Sequence, residues 1–318
     1  MLHALRAGVV DNRFHYVGER SAALWRALAS SHSPAHADDG LAAYEAAARA
    51  ALDALPTDPV HLIGVACGDG VKEQRLLGAL AGAGRTQLSA TPVDVSVPLV
   101  TAASSAMAAV PGVDATHGVA VDITAVTDLA PLLAPRLPGT RLVTLFGVIS
   151  TLGPGALAPA LSLLAPGDLV MVSANLLPGD PGAADRVMDQ YDNAATREWL
   201  CAVLDDIGLA GVGDITFRWV TDATGSQVIV GEVTPSVPQL ADVGGVAVDL
   251  PAGRPITVLR SYRHTPEGLR RLLGDAGLEV IGAGVSPSGE EGVAVGRQVP
   301  MSPSTPSAAR TGTYSSTS

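Results

Sequence analysis

Cysteine is nearly absent. The 318 residues contain two, Cys67 and Cys201, too few and too far apart for a disulfide framework and without metal-ligand spacing. That usage fits a reducing, cytoplasmic compartment. Aromatic residues make up 3% of the chain and charged residues 16%, against 47% apolar, so a folded chain with a mostly aliphatic core is expected. Positive charge is also short: 20 Lys and Arg stand against 31 Asp and Glu, a net charge of −11. With no basic stripe carrying interleaved aromatics, a nucleic-acid partner is excluded, because affinity for a phosphate backbone comes largely from Lys and Arg. The longest apolar runs, such as residues 141–150, fall far below the roughly 20 residues needed to cross a bilayer. The opening Met1-Leu2-His3-Ala4-Leu5-Arg6 turns polar at Asp11-Asn12-Arg13, unlike a secretory signal. The expected partner is a small molecule, with no membrane involved.

Several catalytic signatures are missing as well. No Gly-x-x-x-x-Gly-Lys-Ser/Thr phosphate loop occurs. Gly225-Ser226-Gln227 lacks the flanking glycine of a nucleophile elbow. His32 and His36 are four apart beside Asp38 and Asp39, but Ser33-Pro34 interrupts any helix that would align them, so no metal site is expected. Glu290-Glu291 reads as a turn between the last two strands.

What is present is an alternation of strand-like and helix-like periods. Residues 1–59 form an N-terminal helical segment, with a stripe of Leu41, Tyr44, Ala48, Leu52 and Leu55 on its second helix. From residue 60 the pattern changes. Strands are expected at 60–66, 87–95, 116–121, 140–147 and 169–174, separated by helices at 71–81, 97–109, 124–134 and 155–164. Continuous apolar runs alternating with helices indicate a doubly wound α/β architecture with a parallel sheet covered on both faces. This core spans 60–178. Residues 179–297 are read as a second, smaller α+β substrate domain: a long helix at 182–207, strands at 214–220, 227–233, 246–250 and 256–259, a helix at 265–276 and two short strands. The Ser/Thr/Pro-rich stretch 298–318 reads as a disordered tail.

The chemistry gathers at successive strand ends. The first strand runs into Ala66-Cys67-Gly68-Asp69-Gly70-Val71-Lys72, a turn that lets a ligand lie against backbone at the switch point of such a sheet. The place of the third glycine in a dinucleotide Gly-x-Gly-x-x-Gly loop is taken by Glu73. The second strand ends in Thr91-Pro92-Val93-Asp94-Val95-Ser96. An acid there can accept both hydroxyls of an adenosine ribose; the alternative is a cap for the helix near Val97, although Ser96 is better placed for that. The third strand ends in Asp122, either an acceptor for an adenine amino group or a helix cap.

Together these stretches carry a resemblance. The chain resembles the histidine-specific methyltransferase-like family, whose best-known members trimethylate the histidine α-amino group in ergothioneine biosynthesis. Arg13-Phe14-His15-Tyr16 followed by Ser21-Ala22-Ala23-Leu24-Trp25 is similar to the family's N-terminal Tyr-Asp-x-x-Gly-Ser-x-Leu-Phe, with one extra residue. Gly68-Asp69-Gly70-Val71-Lys72 falls on the cofactor loop, and Pro92-Val93-Asp94-Val95-Ser96 matches a family motif. Ser150-Thr151-Leu152-Gly153, Tyr191-Asp192-Asn193-Ala194 and Ser261-Tyr262-Arg263 follow in order. The resemblance implies a Rossmann-like class I methyltransferase. Ala66, Gly68, Lys72, Asp94 and Asp122 would line an S-adenosyl-L-methionine site, and Tyr16, Tyr191 and Ser261 would face the substrate. For Tyr191, interdomain packing is the alternative. Two departures stand out: Pro154 replaces the substrate-binding Asn after Ser-Thr-Ile-Gly, and Leu259 replaces the Glu that accepts from imidazole. A leucine cannot accept a hydrogen bond, so the expected substrate is an amino-acid-like amine other than histidine. No catalytic base is assigned. A nicotinamide-dependent oxidoreductase and a non-catalytic S-adenosylmethionine-binding relative remain as alternatives.

Overall fold

Residues 1–32, 38–56, 59–133 and 137–300 are described by the computed structural model. Helix α1 (Leu2–Arg6) and a 3-10 turn (Asn12–Tyr16) precede α2 (Glu19–His32) and α3 (Asp38–Ala54). Then come β1 (Val60–Val65), α4 (Val71–Gly82), β2 (Leu88–Asp94), α5 (Val97–Ala108), β3 (Val113–Thr116) and β4 (Val119–Ala120). Next are β5 (Thr140–Phe146), α6 (Val148–Leu152), α7 (Leu157–Leu161), β6 (Leu169–Asn175), α8 (Ala183–Asp189) and α9 (Ala194–Asp206). Five strands follow: β7 (Thr216–Thr221), β8 (Gln227–Val233), β9 (Gln239–Val243), β10 (Val246–Leu250) and β11 (Ile256–Arg263). Helix α10 (Pro266–Asp275) and strands β12 (Leu278–Val285) and β13 (Glu291–Gln298) close the described chain.

The main sheet has the order β12-β13-β6-β5-β1-β2-β3, with β4 pairing to β2. Strands β1, β2, β3, β5 and β6 run parallel to one another, whereas β13 runs antiparallel to both β6 and β12. Every residue of β1 is buried because both faces are covered. Val60 and Leu62 point into one apolar layer with Ala43 and Ala47 of α3, Leu77 and Leu80 of α4 and Met107 of α5. Ile63 and Val65 point the other way, onto Leu157 and Ala160 of α7 and Leu269 and Leu273 of α10. This two-residue alternation makes the sheet doubly wound and Rossmann-like, as expected. Read from β3, the five strands β3-β2-β1-β5-β6 follow the 3-2-1-4-5 order of dinucleotide-binding sheets; antiparallel β13 then departs from it.

A second body of structure stands beside this sheet. Strands β11, β8 and β7 form an antiparallel sheet, and β9 and β10 a hairpin. Their apolar faces pack with Trp199, Leu200, Val203 and Leu204 of α9 and with Leu5. These small sheets stand where a smaller α+β part was expected, but α10, β12 and β13, read within the same stretch 179–297, pack on or pair within the main sheet.

Several elements differ from expectation. The strand read at 116–121 is split into β3 and β4 around Gly118, where a Cβ would stand 2.5 Å from Val100 Cγ1 of α5. The helix expected at 124–134 is absent among the described residues apart from a 3-10 turn at Ala130–Leu133; Pro131 lacks the N–H that an α-helix would need there. The long helix read at 182–207 is two helices, because Asn193 caps α9 by accepting from Thr196 N–H at 2.9 Å. The last two strands, read as short, are eight residues each and complete the main sheet. Strand β9 was not anticipated. His36 and residues 301–318, most of the stretch read as a tail, lie outside the described residues.

Helix α3 lies so close to β12 that side chains are excluded: a Cβ on Gly284 would stand 2.3 Å from the Ala43 carbonyl oxygen, and one on Gly282 2.3 Å from Ala50 Cβ. Gly284→Ala is therefore expected to cost about 1–3 kcal/mol by overpacking, read as a lowered urea midpoint with an unchanged m-value.

Candidate active site

A cavity of about 250 Å³ opens beside the carboxyl ends of β1, β2 and β5, the switch point of the sheet. Ala66, Gly68, Lys72, Asp94 and Asp122 line it, as do Tyr16 and Tyr191. Ser261 does not; it is buried behind Tyr191, its Oγ 2.8 Å from the Tyr191 hydroxyl.

Asp94 is 5% exposed at the end of β2. Its Oδ2 accepts from Gly68 N–H at 3.0 Å and its Oδ1 from Ser96 N–H at 2.9 Å. Ser96 does occupy the N-cap of α5, but its side chain makes no capping bond. Burial pushes the Asp94 carboxyl up from 3.8 to about 6 against the pull of these N–H groups. Each oxygen keeps an acceptor position for a ligand.

The loop before α4 is shaped by backbone that most residues avoid. Ala66 has φ +50°, and Gly68 has φ +59° with no room for a side chain: a Cβ would stand 2.3 Å from the Trp25 ring of α2. Glu73, in the third-glycine position, folds under β1, where Gly64 leaves it space. Its Oε1 accepts from Thr144 Oγ1 at 3.0 Å, and its Oε2 has no hydrogen-bond partner. Burial pushes Glu73 up from 4.5 to about 7. The Lys72 ammonium lies over the Tyr44 ring, 5.7 Å from its centroid, and forms no ion pair among the described residues.

Asp122 is heavily engaged. Its Oδ2 takes Arg13, and its Oδ1 accepts from Thr124 N–H at 2.9 Å and Thr124 Oγ1 at 2.6 Å. It closes a turn and does not cap a helix. Arg13 and Tyr16 are positioned by their neighbour Asn12, which donates to the carbonyls of Thr151 (2.7 Å) and Arg260 (2.6 Å) and accepts from Arg260 N–H (3.1 Å). The N-terminal segment is thereby clamped between α6 and β11. Tyr16 is hydrogen-bonded to Thr151, and its ring meets Trp25 and Trp199 edge-on at 5.8 and 5.4 Å. Burial drives its phenol well above the ordinary range.

Tyr191 sits in the break between α8 and α9, which turns it into the cavity. Arg263, in the Lys position of the resemblance, is buried, donates to the Tyr191 hydroxyl at 2.7 Å and stacks 5.2 Å from its ring centroid. Leu259 is absorbed into the apolar layer under the second sheet. Pro154 begins a 3-10 turn after Gly153, and neither it nor Leu259 lines the cavity.

No protein-family model matches this chain, and neither does any curated protein. Among solved structures it is similar to the CcbJ methyltransferase from Streptomyces caelestis, at 18% identity over 80% of this chain and 95% of that one, with a TM-score of 0.39. It is also similar to a possible exported protein from Bordetella parapertussis (12%, 81% and 67%, TM-score 0.47) and to the protein of a DhpI-SAM-HEP complex (16%, 86% and 94%, TM-score 0.40). Among the described residues no helix is long and apolar enough to cross a membrane, and no cluster of His, Cys, Asp and Glu is suited to a metal.

Among the polar lining residues that sequence reading missed are Asn175 at the end of β6 and Glu291 at the start of β13. Glu290-Glu291 does close the turn between the last two strands, as read, but both side chains are buried, Glu290 accepting from Gln190 at 2.5 Å. The available signal was the placement of two acids directly before an apolar strand. A second missed signal is aromatic placement. The chain has three Trp, five Tyr and three Phe, and five of these eleven, Tyr16, Trp25, Phe146, Tyr191 and Trp199, line the cavity.

Because the folded state raises the Glu73 pKa, Glu73 supports the fold fully below pH 4.5, and that support is lost as pH rises to about 7. Glu73→Gln is expected to stabilise the ligand-free protein by about 1–3 kcal/mol at pH 8 and by much less near pH 4.5. Thermal denaturation at the two pH values checks this.

Proposed function

We propose that the cleft binds S-adenosyl-L-methionine and that the protein transfers its methyl group to a small, amino-acid-like amine other than histidine. The observation that carries this reading is the Asp94 carboxylate, buried at the end of β2 yet oriented by two backbone N–H groups with acceptor capacity left over. A ribose diol supplies the two donors that such a carboxylate lacks.

The residues present fit the rest of that cofactor. Gly68 lets it approach backbone, and Lys72 offers an ammonium to a methionyl carboxylate. Val95 and Ile123 give apolar surface to an adenine, bounded by the Arg13–Asp122 pair. The bound cofactor supplies an electrophilic methyl group on a sulfonium. Tyr16, Trp25 and Trp199 exclude water from that region, and Asn175 and Tyr191 present polar groups for orienting an acceptor. In-line displacement by an amine depends chiefly on such alignment. Histidine is disfavoured because Leu259 is committed to the core and offers no acceptor for imidazole.

A dinucleotide fits less well. Its pyrophosphate would lie beside the buried Glu73, and of the cleft's two cations Arg13 is already paired with Asp122, leaving Lys72 alone. Four acids, Asp69, Asp94, Asp122 and Glu291, line the same space and favour a cationic ligand.

Asp94→Ala removes two charge-assisted acceptors for the ribose. It is expected to weaken S-adenosylhomocysteine binding on the order of 100-fold, measured by calorimetry, with an unchanged circular dichroism spectrum. Unchanged affinity would remove the basis of the proposal.

A further inference from the structure

Glu291 is a buried carboxylate to which the methyl-transfer reading gives no task. It is the first residue of β13, and because that strand runs antiparallel its start lies at the edge where the parallel strands end, opposite Asn175 in register. The side chain lines the cavity although the residue is only 1% exposed. Its Oε1 accepts from the Tyr44 hydroxyl at 2.6 Å, and that hydroxyl lies 2.8 Å from Ser173 Oγ. Its Oε2 has no hydrogen-bond partner.

An unpaired buried carboxylate oxygen is costly, and a donor entering the cavity would relieve that cost. Lys72 is not that donor. Its charge counters part of the effect of burial on Glu291, but the two form no ion pair among the described residues. Arg263, whose charge also acts on Glu291, is turned to Tyr191 and the Leu176 carbonyl. Position argues further. Asp94 and Glu291 stand on strands four steps apart in the sheet, which at ~4.8 Å per step is roughly 19 Å. Glu291 therefore belongs to the end of the cleft remote from the ribose seat, together with Asn175 and Tyr191. Phe146, packed edge-on against Tyr44 at 5.0 Å, gives that end an aromatic wall.

We propose that Glu291 Oε2 receives the positively charged nitrogen of the acceptor, so that the site selects small primary or secondary amines carried as ammonium ions. For transfer, that nitrogen gives one proton to the carboxylate, and the freed lone pair takes the methyl group as the sulfonium leaves as a neutral thioether. The identity of that molecule as a methyl acceptor rests on the function proposed above; the cation seat does not.

Calorimetric titration of the full chain with amines from ethylamine to 2-phenylethylamine, each paired with its corresponding alcohol, tests this with and without saturating S-adenosylhomocysteine. An ammonium donated to a buried carboxylate should bind at least about ten-fold more tightly than the alcohol. Glu291→Gln keeps an acceptor for Tyr44 and should abolish that preference while leaving S-adenosylhomocysteine affinity within about two-fold. The assignment is overturned if wild-type protein prefers no amine, a result that needs no variant to fold, or if the preference survives in Glu291→Gln. It is also overturned if that variant loses S-adenosylhomocysteine affinity in step with amine affinity, which would place Glu291 at the cofactor's own amino group. Wild-type protein that prefers amines but does not bind S-adenosylhomocysteine would keep the cation seat and reject methyl transfer.

Discussion

Two backbone N–H groups, from Gly68 and Ser96, hold the Asp94 carboxylate at the carboxyl end of β2. That clasp ties the loop after β1 to the start of α5, and much of the site's geometry follows from it. Gly68 must adopt a positive φ to present its N–H, and Trp25 then fills the space a side chain would have taken. Gly70, also at positive φ, lets α4 and α5 approach until a Cβ would touch Ala103. The clasp is not there for stability, since burying the charge raises its pKa to about 6. Glu73 and Glu291 are raised in the same way. Of these three, Asp94 and Glu291 line the cavity, and buried carboxylates of raised pKa in a cleft are what a binding site for a cation would hold.

The second structural condition is closure. A Rossmann-like sheet alone leaves its carboxyl edge open to water. Here Asn12 staples the N-terminal segment to α6 and β11, which carries Tyr16 over the cleft, and the break before α9 supplies Tyr191. Trp199 holds this lid from behind, donating to the His15 carbonyl at 2.8 Å while its ring packs against Tyr16. His15 is itself kept neutral by burial, its pKa lowered to about 4. Residues from opposite ends of the chain thus share one wall.

How much of this could be read from the sequence depended on whether the signal was local. The parallel strands were legible because apolar runs such as those of β1, β5 and β6 alternate with helices, and Asp94 because an acid at the end of an apolar strand needs a reason. Pro131 should have argued against a helix at 124–134, and Asp192-Asn193 against a continuous one at 182–207. Glu291 was legible only as one of two acids directly before an apolar strand, not as a cleft residue. Its significance depends on β13 being antiparallel, a topological fact that no local pattern encodes. The Gly-rich β12 was underestimated for a similar reason: its glycines mark close approach of α3, which only packing reveals. Low aromatic content correctly implied an aliphatic core, yet hid the concentration of aromatic rings around the cleft.

The central claim is that this sheet, with Glu73 where a third glycine would cradle phosphate and with Asp94 at the ribose position, takes S-adenosyl-L-methionine and not a dinucleotide. Titration of the wild-type chain with S-adenosylhomocysteine and, separately, with NAD tests it most directly. The account predicts saturable binding of S-adenosylhomocysteine at one site and no measurable binding of NAD; tight binding of NAD alone would contradict it.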